Sequence, residues 1–155
     1  MSNVVDLAEL KERLPNGRRL FGIDLGTKTI GIAVCNGGLS IATPFHTIRR
    51  TKFTQDAQKL VALANQEKVG GLVVGLPVNM DGTEGPRAQS TRAFVRNLAR
   101  ITDLPVAFQD ERLSTVSAES QMLEAGTRRS VRRERIDEMA AAVILQDALE
   151  RLNRL

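Results

Sequence analysis

The chain has 155 residues, 42% of them hydrophobic, and 22 Lys and Arg against 18 Asp and Glu give a net charge of +4. That length suits one domain with its own core. No apolar run reaches the roughly 18 residues of a membrane span, and Met1-Ser2-Asn3-Val4-Val5-Asp6 lacks the basic-then-apolar pattern of a secretory leader. A single cysteine, Cys35, excludes an internal disulfide and fits a reducing cytoplasm. A single histidine, His46, excludes a multi-histidine zinc site and argues against a His-based triad. With no Trp or Tyr and only five Phe, stacking of bases on an aromatic platform is disfavoured. Recognition of a polyanion through its backbone and shape is the better expectation for a basic chain.

In chain order, residues 1–18 read as a polar lead-in in which Leu7, Leu10 and Leu14 suit a short helix, broken by Pro15-Asn16-Gly17. Residues 19–25 read as a first strand. A Gly26-Thr27 turn leads to a second strand over Ile30–Cys35, and the short connection makes the two a hairpin. Asn36-Gly37-Gly38 is a second turn before a third strand over 39–48. Phe53, Ala57, Leu60, Val61 and Ala64 recur at helical spacing. Leu72–Leu76 is wholly apolar, the pattern of a central strand covered on both faces. A glycine-containing loop over 77–85 follows, then a helix marked by Phe94, Val95 and Leu98, and a fifth strand from Pro105 that ends at Asp110-Glu111. Ser114 suits an N-cap for a helix to about Ala125, with Gly126 as its stop. A last helix is expected from about Ile136 to Leu152. A meander of three strands followed by helix–strand alternation implies an α/β fold, a mixed sheet flanked by helices.

The acids carry the chemistry. Asp24 lies at the end of an apolar strand, Asp110 and Glu111 end another, and Asp137 opens the last predicted helix. Each borders an apolar segment rather than a solvated charge run. A set of carboxylates on rigid elements is what hard divalent cations require, and two such ions assist the cutting of a phosphodiester. Adjacent strand residues point to opposite faces, so one of Asp110 and Glu111 is expected to reach the ions, and the residues alone do not say which. Asp137 shares a helix face with Ala140, Ala141, Ile144 and Ala148, small residues that let the helix press onto the sheet and bring its carboxylate to the strand ends. Lys28, four residues past Asp24, is a candidate to contact the phosphate or a reacting oxygen. The loop containing Asn79 reads as a mobile substrate clamp, since glycines let backbone approach phosphates. Arg128, Arg129, Arg132, Arg133 and Arg135 read as a phosphate-contacting strip that runs into Asp137, and Arg112, adjoining Asp110-Glu111, is a further nucleic-acid-binding candidate. Asp81 and Glu84 are weaker candidates, and Cys35 reads as small core filler.

Four blocks, FGIDLGTKTIGIAV (21–34), VGLPVNMDGTEGPRA (74–88), PVAFQDERLSTVSAE (105–119) and DEMAAAVILQD (137–147), resemble in sequence and order the YqgF/RuvX family of pre-16S rRNA nucleases. The resemblance covers about residues 19–150. It leaves 1–18 as an N-terminal extension to a nuclease domain over 19–155. It implies an RNase H-like fold: a five-stranded mixed sheet, strands 1–3 antiparallel, with helices on both sides. It also implies a hydrolase that uses divalent metal, Mg²⁺ or Mn²⁺, to process the 5′ end of precursor 16S rRNA in ribosome biogenesis. The family's acids fall on Asp24, on the Asp110-Glu111 pair and on Asp137. The family is similar to Holliday-junction resolvases, which leaves branched DNA as an alternative substrate, and a non-catalytic RNA-binding assembly factor as a further alternative. Members are monomers or homodimers. The Asp24–Lys28 stretch also resembles the first phosphate loop of actin/Hsp70-like ATPases, but 155 residues cannot supply the two lobes those proteins need.

Overall fold

Alternation along the strands builds the sheet. The computed structural model describes residues 3–111 and 129–155, the side chains of 129–135 excepted. In chain order it has α1 (Leu7–Arg13), β1 (Arg19–Leu25), β2 (Thr29–Cys35), β3 (Ala42–Arg49), α2 (Phe53–Gln66), β4 (Val69–Leu76), α3 (Pro86–Leu98), β5 (Val106–Asp110) and α4 (Arg129–Leu152). The strands lie in the order β3-β2-β1-β4-β5. The first three pair antiparallel, while β4 runs parallel to β1 and β5 parallel to β4. This is the five-stranded mixed sheet expected from the sequence.

Every second residue of β1 and β2 faces one way. Phe21, Ile23, Leu25, Ile30, Ile32 and Val34 join Leu72 and Val74 of β4 in a core with Leu60 of α2 and Phe94 of α3. The intervening positions, among them Leu20, Ala33, Cys35, Val73 and Ala107, pack with Ala141, Ile144, Leu145 and Ala148 of α4 and Leu10 of α1. Cys35 is buried there, and its Sγ accepts from the Leu20 N–H at 3.2 Å. The bulky face therefore carries α2 and α3, and the small-residue face carries α4.

Two boundaries differ from expectation. The third strand starts at Ala42 rather than residue 39. The Asn36 side chain accepts from the Ser40 and Ile41 N–H groups, and Leu39 takes a positive φ of 56°, so the turn extends to Ile41. The last helix includes Arg129, seven residues before the expected start at Ile136, so Asp137 stands inside the helix rather than opening it. The sequence reading began that helix at its first apolar repeat. Arg and Glu favour helix even without an apolar partner.

Residues 3–14 are fastened to the domain. Val5 N–H donates to the Val106 carbonyl and Val106 N–H to the Asn3 carbonyl, at 2.8 and 2.9 Å, so this segment pairs along the outer edge of β5. Leu10 is fully buried, and Lys11 Nζ donates to the Leu152 and Leu155 carbonyls.

Candidate active site

Strand parity sends Asp24 to the α4 side. Leu20, Gly22 and Asp24 alternate with the Phe21-Ile23-Leu25 core positions, and Asp24 is paired across the hairpin with Gly31. Gly31 has the same parity as Ala33 and Cys35, so it also faces α4. A Cβ at Gly31 would collide with the Asp137 carbonyl, so only glycine lets α4 lie this close. Asp137 and Ala141 are one helical step of four apart, and Ala141 packs against Gly22 in the same way. The stripe of small residues thus carries the Asp137 carboxylate to the β1–β2 hairpin. There it accepts a hydrogen bond of 2.6 Å from Thr29 Oγ1.

Parity also separates Asp110 from Glu111. Ala107 and Gln109 face α4, and Glu111, two residues further, continues that series. Its carboxyl lies over Gly75 of β4, where a Cβ would sit 2.5 Å from Glu111 Oε1. Gly75 thereby leaves room for Glu111 to reach Asp24, with which it shares a hydrogen bond. Glu111 is thus the member of the pair that meets Asp24. Asp110 instead borders a cleft of about 700 Å³ with Met80, Gln109 and Arg151.

The electrostatics are those of acids gathered without enough positive charge. Glu111 is pushed up to about 8, first by burial, then by its hydrogen bond to Asp24 and the Asp24 charge; Asp110 adds to this and Arg87 opposes it. Asp24 is also raised, chiefly by burial and then by the Asp137 charge, against the Glu111 hydrogen bond and Arg87. Two touching carboxyls cannot both ionise cheaply, so the pair holds a proton between them. Among the described residues, no three acidic, His or Cys side chains gather as a ready cation site. Asp24 and Glu111 meet, while Asp137 is turned to Thr29. The donor set is nonetheless all carboxylate oxygen, which suits a hard cation.

Arg87 is the residue the sequence reading missed. It stands in the first turn of α3, donates to the Leu25 carbonyl at 3.5 Å, and its charge acts on both Asp24 and Glu111. A cation in a helix's first turn opposes the helix dipole, and that misfit was the available signal. Lys28 is exposed on the β1–β2 turn. Asn79 donates to Thr83 Oγ1 within its own loop, and Glu84 is held by Arg92 through contacts of 2.6 and 2.8 Å. Arg129, Arg132, Arg133 and Arg135 fall on α4 ahead of Asp137. Arg112, Arg128 and the helix expected over 114–125 lie outside the described residues.

A mixed sheet of this order, with acids at the carboxyl ends of its parallel strands and a long helix laid across them, is the RNase H-like arrangement. Among solved structures, T. thermophilus RuvC in complex with Holliday junction substrate superposes with a TM-score of 0.54 at 13% identity, over 86% of this chain and 95% of that one. T. thermophilus RuvC is also matched in a second structure, at a TM-score of 0.51. The family model for RuvX, described as Holliday junction resolvase, matches residues 18–151. A relative from Chelativorans sp. (strain BNC1) is 57% identical over 99% of this chain and 96% of its own length, and one from Cereibacter sphaeroides (strain KD131) is 60% identical over 92% and 89%. Both carry the name "Putative pre-16S rRNA nuclease". The chain belongs to the RuvX family.

Proposed function

We infer that this chain is a divalent-metal-dependent nuclease that processes the 5′ end of precursor 16S rRNA during ribosome biogenesis in the cytoplasm. The Asp24–Glu111 contact carries the reading: two carboxyls share a proton near the Asp137 charge, and one is pushed up to about 8. Such a cluster is poorly stabilised alone and is stabilised by a cation, a pattern typical of catalytic sites. The name shared by relatives of 57% and 60% identity supplies the substrate. Residues 19–155 form the nuclease domain and residues 1–18 its N-terminal extension, of which residues 3–5 pair along the β5 edge.

Asp24, Glu111 and Asp137 would hold Mg²⁺ or Mn²⁺, with Asp110 beside them. A bound divalent ion supplies Lewis acidity toward the phosphoryl oxygens. The Thr29 hydroxyl fixes the Asp137 carboxylate at the hairpin. Arg87 faces the same charge from α3 and orients the phosphate. Lys28, on the exposed hairpin turn, contacts the substrate backbone. Arg112, Arg128, Arg129, Arg132, Arg133 and Arg135 follow the backbone beyond the cut, and Asn79 braces the neighbouring loop. Among the described residues, no helix is long and apolar enough to cross a membrane.

The test is cleavage of a precursor 16S rRNA 5′ fragment with Mg²⁺, with Mn²⁺ and after chelation, comparing the native chain with Asp24→Asn. Cleavage should require the metal and vanish in the variant. Unchanged activity in Asp24→Asn discards the site, and equal cleavage after chelation discards the metal. The family model's description favours a second reading, resolution of four-way DNA. Paired cuts need a dimer, so sedimentation showing a strict monomer with and without junction DNA counts against it.

A further inference from the structure

The loop between β4 and α3 is built unlike a passive connection. Gly82 N–H donates to the Asn79 carbonyl and Asn79 N–H to the Thr83 carbonyl, both at 2.8 Å, which closes a tight turn with Met80 and Asp81 at its corners. Gly82 takes the positive φ of 89° that this closure needs. The Asn79 side chain donates to Thr83 Oγ1, and Thr83 in turn donates through its N–H and its hydroxyl to Asp81 Oδ1. Glu84 pairs with Arg92, whose guanidinium lies 4.9 Å from the centre of the Phe108 ring. The loop expected to be a mobile clamp is thus hydrogen-bonded to itself and fastened to the body of the domain.

At its corner this braced turn presents an apolar side chain to water. Met80 is 82% exposed, the most exposed large hydrophobic side chain among the described residues. The first corner of a turn ordinarily carries a polar residue or proline, and nothing in the turn's hydrogen bonding calls for methionine. Both ends of the loop are anchored beside the acids. Leu76, before it, is the register partner of Asp110, and Arg87, after it, donates to the Leu25 carbonyl. Met80 itself borders the cleft that contains Asp110, Gln109 and Arg151.

The chain has no Trp or Tyr, and its five phenylalanines are committed elsewhere. Phe21 and Phe94 are core residues, with Phe45, Phe53 and Phe108 packed against them. None of these phenylalanine rings is exposed, and the exposed ring of His46 lies on β3, at the far edge of the sheet from β5. We propose that Met80 is the base-contacting residue of this chain, an apolar wedge that the rigid 77–85 turn drives against a nucleobase beside the cut. The inference rests on the nuclease reading. Apolar side chains, methionine included, are established wedges between base steps. A turn ordered before binding loses little freedom when it engages. The wedge would unstack the base and turn the adjoining phosphate toward Asp24 and Glu111.

The test uses the full chain with Asp24→Asn, so that binding is read without cutting. The probe is a precursor 16S rRNA 5′ fragment carrying 2-aminopurine at successive positions around the cut. With Met80 present, fluorescence should rise at one position on binding. Met80→Ser should abolish that rise and, in the otherwise native chain, lower kcat/KM about tenfold, the scale of one lost apolar contact. Met80→Leu should restore both, and the salt dependence of binding should be unchanged in all three because no phosphate contact is lost. A 2-aminopurine response in Met80→Ser equal to the native one overturns the wedge while leaving the nuclease intact. A native chain that neither binds nor cuts the fragment overturns the functional reading and the wedge together.

Discussion

The two faces of the sheet bury carboxylates to opposite ends. Under α2, Asp56 is 2% exposed and fully provided for: its carboxylate accepts from the Thr51 N–H and hydroxyl, at 3.0 to 3.1 Å, and so fixes the start of that helix. Under α4, Asp24 and Glu111 have each other, and both are raised from their ordinary values. Toward the first face the sheet presents Phe, Ile, Leu and Val; toward the second it presents chiefly Gly22, Gly31, Ala33, Cys35, Gly75 and Ala107, and leucines of α1 and α4 fill the space away from the acids. Bulk on one side makes a stable core. Its absence on the other lets a helix and a strand end bring charges together that folding alone would keep apart. Stability is given up at the second face for a site that a cation can complete.

The sharpest way to break this comparison is to neutralise one acid on each face. Asp24→Asn should lower cleavage by at least about 10³-fold, the scale of removing a key electrostatic group from an active site. The same change should leave the metal-free fold as stable or more so, because it removes a buried charge that also faces the Asp137 charge. Asp56→Asn should do the reverse: activity per folded molecule retained and stability reduced by about 1–2 kcal/mol, as for a lost helix cap. Activity assays beside denaturant unfolding check both. If Asp24→Asn destabilises as much as Asp56→Asn, the two faces do not differ in the way argued.

Gly31→Val comes next. Its side chain would meet the Asp137 carbonyl, and α4 would have to lift from the sheet. The expected loss is about 2–3 kcal/mol of stability from overpacking, with cleavage falling further than stability accounts for. Ile32→Val, one residue along and on the bulky face, should cost about 1 kcal/mol and leave specific activity intact. Unfolding curves and specific activity of the two variants make the comparison.

A milder perturbation is Arg87→Ala. Loss of the cation acting on both acids should lower kcat about tenfold, roughly the effect of one charge-assisted contact, and raise the pH at which Glu111 ionises. A carboxyl-resolved NMR titration gives the second readout.

A last comparison concerns pH. Glu111 in the fold sits at about 8, above its ordinary 4.5, so the folded state holds a proton that the unfolded chain releases. Its contribution to stability is complete below about pH 4.5 and is lost as pH rises through about 8. Without divalent metal, the denaturation midpoint should therefore fall over that window. With Mg²⁺ the fall should shrink or reverse, because the cation favours the ionised acids. A metal-free profile that is flat from pH 5 to 8, measured by urea unfolding, would argue that Glu111 is solvated.

Much of this was readable along the chain. Alternation in 19–25 and 30–35 gave the hairpin, helical spacing gave α2, and acids at the ends of apolar runs marked Asp24, Asp110, Glu111 and Asp137 as one candidate group. The start of α4 was not readable, because its first turns are charged and show no apolar repeat. Arg87 went unnoticed because its partners come from β1 and from the end of β5, far away in sequence. The glycines of the 77–85 loop mark where backbone can approach a phosphate, whereas the hydrogen bonds that close its turn appear only in three dimensions.

From its sequence alone this protein was determined to be a mixed α/β domain with acids poised at element ends, because periodicity and residue chemistry are local properties that each segment carries with it. Tertiary structure alone decided that Glu111 rather than Asp110 meets Asp24, that Gly31 and Gly75 are spaces for Asp137 and Glu111, and that Met80 faces water from a braced turn. Those outcomes depend on sheet register and on how near one helix can lie, and both are set by packing between segments remote along the chain.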